Sequence, residues 1–306
     1  MSKGEVKFSS DNEWERWNDK NSLFVEQECF GTVLRLVQDP NSLHLGTTVW
    51  DASVVLAKFF EKNLRKGEFA RNKVVKKRAI ELGSGMGLAG MAFAMVGAEV
   101  ILTDTADVLD KLRINCNNNL SPAAVRLAKA GHRGHGSWAD FFGSIQVNEL
   151  DWTRAEEHIA KLEFQPPVDF VLAADCIYRE DLTEAFYDTV RRLTNEKSTV
   201  VVCNEFRSKT VHDRFMELFK ATHNVKLMTK NKMDPEFWHP NIHIYVMKRK
   251  KNKQGDADSG GEEENDEEEK TAEEGTAKAP EKKEKTKEKN KEKGGKEGNE
   301  TNQIQM

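Results

Sequence analysis

Residues 80–90 read I-E-L-G-S-G-M-G-L-A-G, and no other segment limits the fold so tightly. An apolar strand runs into alternating glycines, and an apolar helix follows. Glycines there let the backbone turn sharply and approach a ligand closely. The helix that follows offers free N–H groups and the positive end of its dipole. A merely structural turn has no use for Gly83, Gly85 and Gly87 in alternation.

The flanking sequence supplies the rest of an α/β domain. Apolar runs predict strands at 79–82, 100–103, 145–150, 168–174 and 199–203, alternating with helical patterns at 88–96, 106–118, 182–193 and 211–219. The run at 168–174 is almost wholly apolar, as expected where helices cover both faces of a sheet. Alternating β and α elements predict a mainly parallel, doubly wound sheet. Two more strands, at 225–229 and 242–247, have no helix between them, so one of them should be antiparallel. Two β-like runs around Gly31, within 23–37, predict a hairpin ahead of the domain, and 49–60 predicts an amphipathic helix. The basic stretch 61–77 and the long stretch 121–143 look inserted. His132 and His135 have no acidic or thiol partner at ligand spacing, so a mobile surface loop is expected there rather than a metal site.

Two ligand classes fit the glycine turn. Gly85-x-Gly87-x-x-Gly90, with Asp104 nineteen residues after Gly85, matches a dinucleotide fingerprint. Glu81-x-Gly83-x-Gly85-x-Gly87 instead resembles motif I of the class I methyltransferases that use S-adenosylmethionine (AdoMet). The order of parts favours the second. Gly83 is surplus in a dinucleotide turn, and Glu81 would crowd a pyrophosphate, whereas an acid there suits the cationic amino group of AdoMet. Asp104 serves either ligand, because both carry a ribose diol.

Further stretches make the resemblance more specific. L-G-T-T-V-W-D-A-S (45–53), L-T-D (102–104), N-E-L-D-W (148–152) and A-A-D-C-I-Y (173–178) join the glycine turn. Together they resemble the seven-β-strand protein-lysine methyltransferases of the methyltransferase-like family, over about residues 23–247. That resemblance implies a Rossmann-like, seven-stranded sheet with AdoMet as cofactor and a lysine of a protein substrate, such as a chaperone, an ATPase or a translation factor, as acceptor. It implies that Trp50 lines the AdoMet pocket and that the backbone of Gly83, Ser84 and Gly85 approaches the methionine part. It further implies that Asp104 takes the ribose hydroxyls, Trp152 flanks the adenine and Ala174 lies under the cofactor. By the same resemblance, Asp175 and Tyr178 belong to a D-x-x-Y motif that faces the acceptor. Met86 stands where many relatives have Thr.

Outside that domain the chain changes character. The leader, residues 1–22, is polar. Residues 248–306 are nearly all Lys, Glu, Asp, Gly, Asn and Thr. Such a tail buries too little apolar surface to offset its ordering entropy, so disorder is expected. The net charge of −4, from 47 basic and 51 acidic residues, therefore says little about partners. Lys248–Lys251 reads equally as a nuclear-import patch or as a charged strand end. Four cysteines without a C-x-x-C pair suggest neither a disulfide framework nor a zinc site. No signal peptide or membrane span is visible. A cytoplasmic monomer able to enter the nucleus is expected, with a protein partner and neither membrane nor nucleic acid.

Methyl transfer from a sulfonium needs an in-line nucleophile and little acid–base chemistry, so the chain should contribute orientation and a water-poor site. Two rivals remain. One is a methyltransferase acting on nucleic acid or a small molecule, although Asp-Cys-Ile-Tyr stands where amino-adenine enzymes carry Asn-Pro-Pro-Tyr. The other is a non-catalytic scaffold on the same fold, which degraded cofactor motifs would favour.

Overall fold

The computed structural model describes residues 15–131 and 137–251. His132, His135 and the tail from residue 252 lie outside the described residues, and so do the expectations placed on them.

A hairpin opens the described chain: β1 (Phe24–Cys29) pairs antiparallel with β2 (Thr32–Val37). Phe30 and Gly31 make its two-residue turn, with φ of 52° and 73°. A turn with both residues left-handed matches the twist of the flanking strands. Helix α1 (Asp51–Lys62) follows, then the short α2 (Arg71–Val74) within the basic insertion. The sheet is built from β3 (Arg78–Leu82), β4 (Glu99–Asp104), β5 (Ser144–Glu149), β6 (Phe170–Ala174), β7 (Thr199–Glu205), β8 (His223–Leu227) and β9 (Ile242–Arg249). Between them come α3 (Leu88–Val96), α4 (Ala106–Leu120), α5 (Pro122–Gly131), α6 (Ala155–Ile159), α7 (Glu180–Leu193) and α8 (Lys209–Thr222).

The seven strands lie in the order β5-β4-β3-β6-β7-β9-β8. All neighbours are parallel except β9, which runs antiparallel to both β7 and β8. The order reverses between β3 and β6, and that crevice is where open α/β sheets take ligands. Apolar side chains fill both faces. Phe59, Phe60 and Phe93 pack on one, and Phe186, Phe215 and Phe219 on the other, all with essentially no exposure.

Two expectations change. Stretch 121–143 is not only a loop. Pro122, placed where a helix start tolerates it, opens α5, and Val125 and Ala128 pack against the core. Beyond the undescribed residues, Trp138 is buried, and its indole N–H donates to Thr32 Oγ1 of the hairpin at 2.7 Å. The leader also joins the domain before residue 23. Asn18 is buried, and its amide donates to Gln38 Oε1 at 3.1 Å. At the far end, Arg249 donates to the carbonyls of Thr194 and Arg191, so Lys248 and Arg249 end a strand.

Among the described residues no helix is long and apolar enough to cross a membrane. None of them form a group of three or more His, Cys, Asp or Glu side chains able to hold a metal ion.

Candidate active site

A cavity of about 590 Å³ opens at the carboxyl ends of β3, β4, β5 and β6. Its walls bring together Trp50, Gly83, Ser84, Gly85, Asp104, Trp152, Ala174, Asp175 and Tyr178, which lie far apart in sequence.

The glycine turn forms its floor. Gly83 and Gly85 have φ of 59° and 53°, a region that costs other L-residues about 1–2 kcal/mol. Space is short as well. A Cβ on Gly83 would sit 2.8 Å from Cys176 Sγ and 3.2 Å from the Trp152 ring, and one on Gly85 would sit 3.0 Å from the Gly46 carbonyl. The Ser84 side chain fastens the turn to its neighbour strand: its hydroxyl accepts from Thr103 N at 3.0 Å and donates to the Glu81 carbonyl at 3.2 Å. Asp104 ends β4, and one of its oxygens accepts from Gly85 N at 2.8 Å. The other accepts from Thr105 N at 2.8 Å. Burial raises the pKa of this carboxyl.

Trp50 precedes α1, and its indole N–H donates to the Leu45 carbonyl at 2.9 Å. Trp152 follows Asp151, whose carboxylate caps the next turn, and it meets Phe186 edge-on at 5.1 Å.

Glu81 departs from its expected role. It does not line the cavity. Its side chain points the other way, is essentially unexposed, and accepts from Gly90 N in α3 at 3.1 Å. Burial pushes its carboxyl up to about 8. It is a structural acid behind the turn, so the expected contact with the amino group of AdoMet does not exist in this arrangement.

Asp175 is held from several sides. Its φ of 61° is left-handed, where Asp is tolerated better than most residues. Its backbone N–H donates to the Cys203 carbonyl at 2.8 Å, and Glu205 N donates to Oδ1 at 3.2 Å. Arg207 donates to both carboxylate oxygens, at 2.6 and 2.5 Å. Asn204, one residue before the end of β7, donates to the Ile177 carbonyl and accepts from Ile177 N, both at 2.9 Å. The 175–178 turn is thus set by β7. Tyr178 stands at the rim with 37% of its surface exposed, and burial of the remainder raises its phenol pKa.

Sequence reading missed the charges behind this turn. Arg207 also binds Glu205 at 2.7 Å, and Arg16 reaches Glu205 at 2.8 Å and Asp51 at 3.0 Å. Burial opposes ionisation of Glu205, yet Arg16 and Arg207 hold its carboxyl below the usual range. Burial raises that of Asp51. The available signal was N-E-F-R directly after a predicted strand, at the ligand end of the sheet.

The sequence profile of a family described as lysine methyltransferase matches residues 30–222. The chain belongs to the lysine methyltransferase family. Relatives of this lysine methyltransferase include Protein N-lysine methyltransferase METTL21A of Xenopus tropicalis, 29% identical over 61% of this chain and 73% of that protein. The METTL21A protein of Mus musculus is 28% identical over 72% of this chain and 85% of its own. EEF1A lysine methyltransferase 3 of Xenopus tropicalis is 28% identical over 72% and 84%. Among solved structures, the T. thermophilus 16S rRNA N2 G1207 methyltransferase RsmC, in complex with AdoMet and guanosine, aligns with a TM-score of 0.46 and 14% identity. That alignment covers 74% of this chain and 50% of RsmC.

Proposed function

We propose that this lysine methyltransferase uses AdoMet as its donor, held in the cavity beneath Trp50, and methylates a lysine presented by another protein at the Asp175–Tyr178 rim. One observation carries the reading. A glycine turn that tolerates no Cβ, Asp104 ending the adjacent strand and the D-C-I-Y turn all face one cavity. Its volume lies within the range of small-molecule sites, about 300–1,000 Å³.

The residues present fit the donor. Asp104 offers carboxylate oxygens to a ribose diol, Trp152 offers an aromatic face to adenine, and Gly83 and Gly85 leave the floor open to a methionine backbone. AdoMet supplies an electrophilic methyl group on a sulfonium. The chain then has to exclude water and present a neutral amine in line. Trp50 and Tyr178 wall the approach with aromatic surface. Asp175, oriented by Arg207, accepts a hydrogen bond from the arriving amine. An unperturbed lysine has a pKa of about 10.4, and a desolvated mouth beside a sulfonium favours the neutral form.

The names of relatives point to protein substrates, EEF1A among them. Chaperones, ATPases and translation factors are the classes we propose to test first. Incubating the purified chain with methyl-labelled AdoMet and a cell extract should label a protein, and peptide mapping should place the label on lysine. Label confined to nucleic acid or small molecules would overturn the acceptor assignment. Calorimetry showing tight NAD binding and no heat with AdoMet would overturn the donor.

A further inference from the structure

The leader brings a lysine to the Trp50 ring, which is one wall of the cavity, although Lys20 itself does not line it. Lys20 Nζ lies over the Trp50 ring, 4.2 Å from its centroid, and the same ring lines the cavity. Arg207, which holds Asp175, lies 5.2 Å from that centroid. Behind the ring, Asp51, Glu205 and Asp175 set three carboxylates against the two guanidiniums of Arg16 and Arg207. Lys20 makes no direct ion pair to a described residue, and its ammonium rests on the Trp50 ring near this charged group. An acceptor lysine entering over Trp50 would meet the same surroundings.

We propose that Lys20 is itself an acceptor, methylated by its own chain. The proposal rests on the AdoMet reading above. The Lys20 ammonium first gives one proton to solvent; the lone pair of the neutral Nζ then forms a bond to the methyl carbon, and the carbon–sulfur bond breaks. Its electron pair stays on sulfur, which becomes a neutral thioether, and the positive charge passes to the methylated nitrogen. Burial, with Arg16 and Arg207 nearby, lowers the Lys20 pKa from its ordinary 10.5, which favours the nucleophilic form. The product is favoured too, because a methylated ammonium remains a cation and an aromatic face binds such cations well.

The test uses the full chain with AdoMet, read by intact mass and peptide mapping. Methyl groups should appear on Lys20, at a rate per chain that does not change with protein concentration. Lys20→Arg should remove at least about nine-tenths of that signal while AdoMet affinity by calorimetry stays within about threefold. A readout without turnover is the titration of chemically ¹³C-dimethylated lysines by NMR, assigned with Lys20→Arg. Lys20 should titrate below the other surface lysines. Methylation spread over the tail lysines, or absent from Lys20 in a chain that binds AdoMet and labels an extract protein, overturns the proposal and leaves the function standing. A Lys20 that titrates with the other lysines also overturns it. A chain that binds no AdoMet overturns both.

Discussion

Arg207 forks onto both carboxylate oxygens of Asp175, at 2.6 and 2.5 Å, while Asp175 itself is almost wholly buried. The pair fixes the orientation of the Asp175 carboxylate at the rim, where the proposed function has it accept from an amine. A charge-assisted hydrogen bond contributes about 1.5–3 kcal/mol. If Asp175 makes such a bond fully only in the transition state, Asp175→Asn should slow methyl transfer roughly ten- to hundredfold. AdoMet affinity should stay within about threefold of the parent. Initial rates and calorimetry check this together. An unchanged rate removes Asp175 from the acceptor site, and weakened AdoMet binding alone moves it to the cofactor pocket.

On the proposed function, Arg207 acts through Asp175 as a positioning residue. Removing one member of a buried pair costs about 3–5 kcal/mol, and Arg207 is one-third exposed, so the low end applies. Arg207→Met should therefore lower both stability and rate. Arg207→Lys keeps the charge and loses the fork, so it should recover part of the stability and less of the rate. Equal recovery of both, in melting curves and in kcat, would mean that the fork geometry does not matter.

Tyr178 has a smaller part. A neutral hydrogen bond is worth about 1 kcal/mol, so Tyr178→Phe should cost roughly fivefold in rate. Melting temperature should move little, because Tyr178 stands at the rim with 37% of its surface exposed. A loss as large as that of Asp175→Asn would give the phenol an unexpected proton-handling role.

Gly83→Ala tests the floor of the cavity. Its φ of 59° costs an alanine about 1–2 kcal/mol, and the new Cβ presses on Cys176 Sγ and the Trp152 ring. Melting should report that loss of stability. Calorimetry should show AdoMet binding weakened by at least about tenfold, since Trp152 must give way. Intact affinity in a destabilised protein would place the donor elsewhere.

Much of this site was legible because function follows topology. Trp50, Asp104, Trp152, Ala174 and Asp175 lie beside predicted element ends, and a doubly wound sheet gathers strand carboxyl ends at one edge. The direction of Glu81 was not legible. In a strand covered on both faces, Ile80 and Leu82 give no polar side to read, so nothing in the local pattern says which way Glu81 turns. The charge chain was hidden for another reason. Arg16 and Glu205 are 189 residues apart, and only the finished fold brings them together. α5 was missed because the polar and glycine-rich residues after it outweighed the short helical pattern of Val125 and Ala128.

The end of the domain gives another expectation. Arg249 and Lys250 donate to carbonyls that close α7 and α8. A chain ending at Lys251 should therefore fold and bind AdoMet like the full protein. Ending it at Met247 should lower the melting temperature, because both caps are lost. Activity lost only on the native substrate by the first truncation would assign the tail to docking.

Glu81 gives the sharpest separation of structure from cofactor binding. Its carboxyl titrates at about 8 in the folded chain against an ordinary 4.5, because burial disfavours the charge. The folded state therefore binds more protons than the unfolded state between those values. The contribution of Glu81 to stability is fully present below about 4.5 and is lost as pH rises through about 8. Glu81→Gln removes this titration and keeps an oxygen for Gly90 N. Denaturant melts should then show a flatter stability profile between pH 5 and 8 in the variant, with the variant gaining on the parent towards pH 8. Because the side chain does not line the cavity, AdoMet affinity should stay within about threefold. A loss of about tenfold or more, the cost of losing a direct bond to an ammonium, would return Glu81 to the cofactor site.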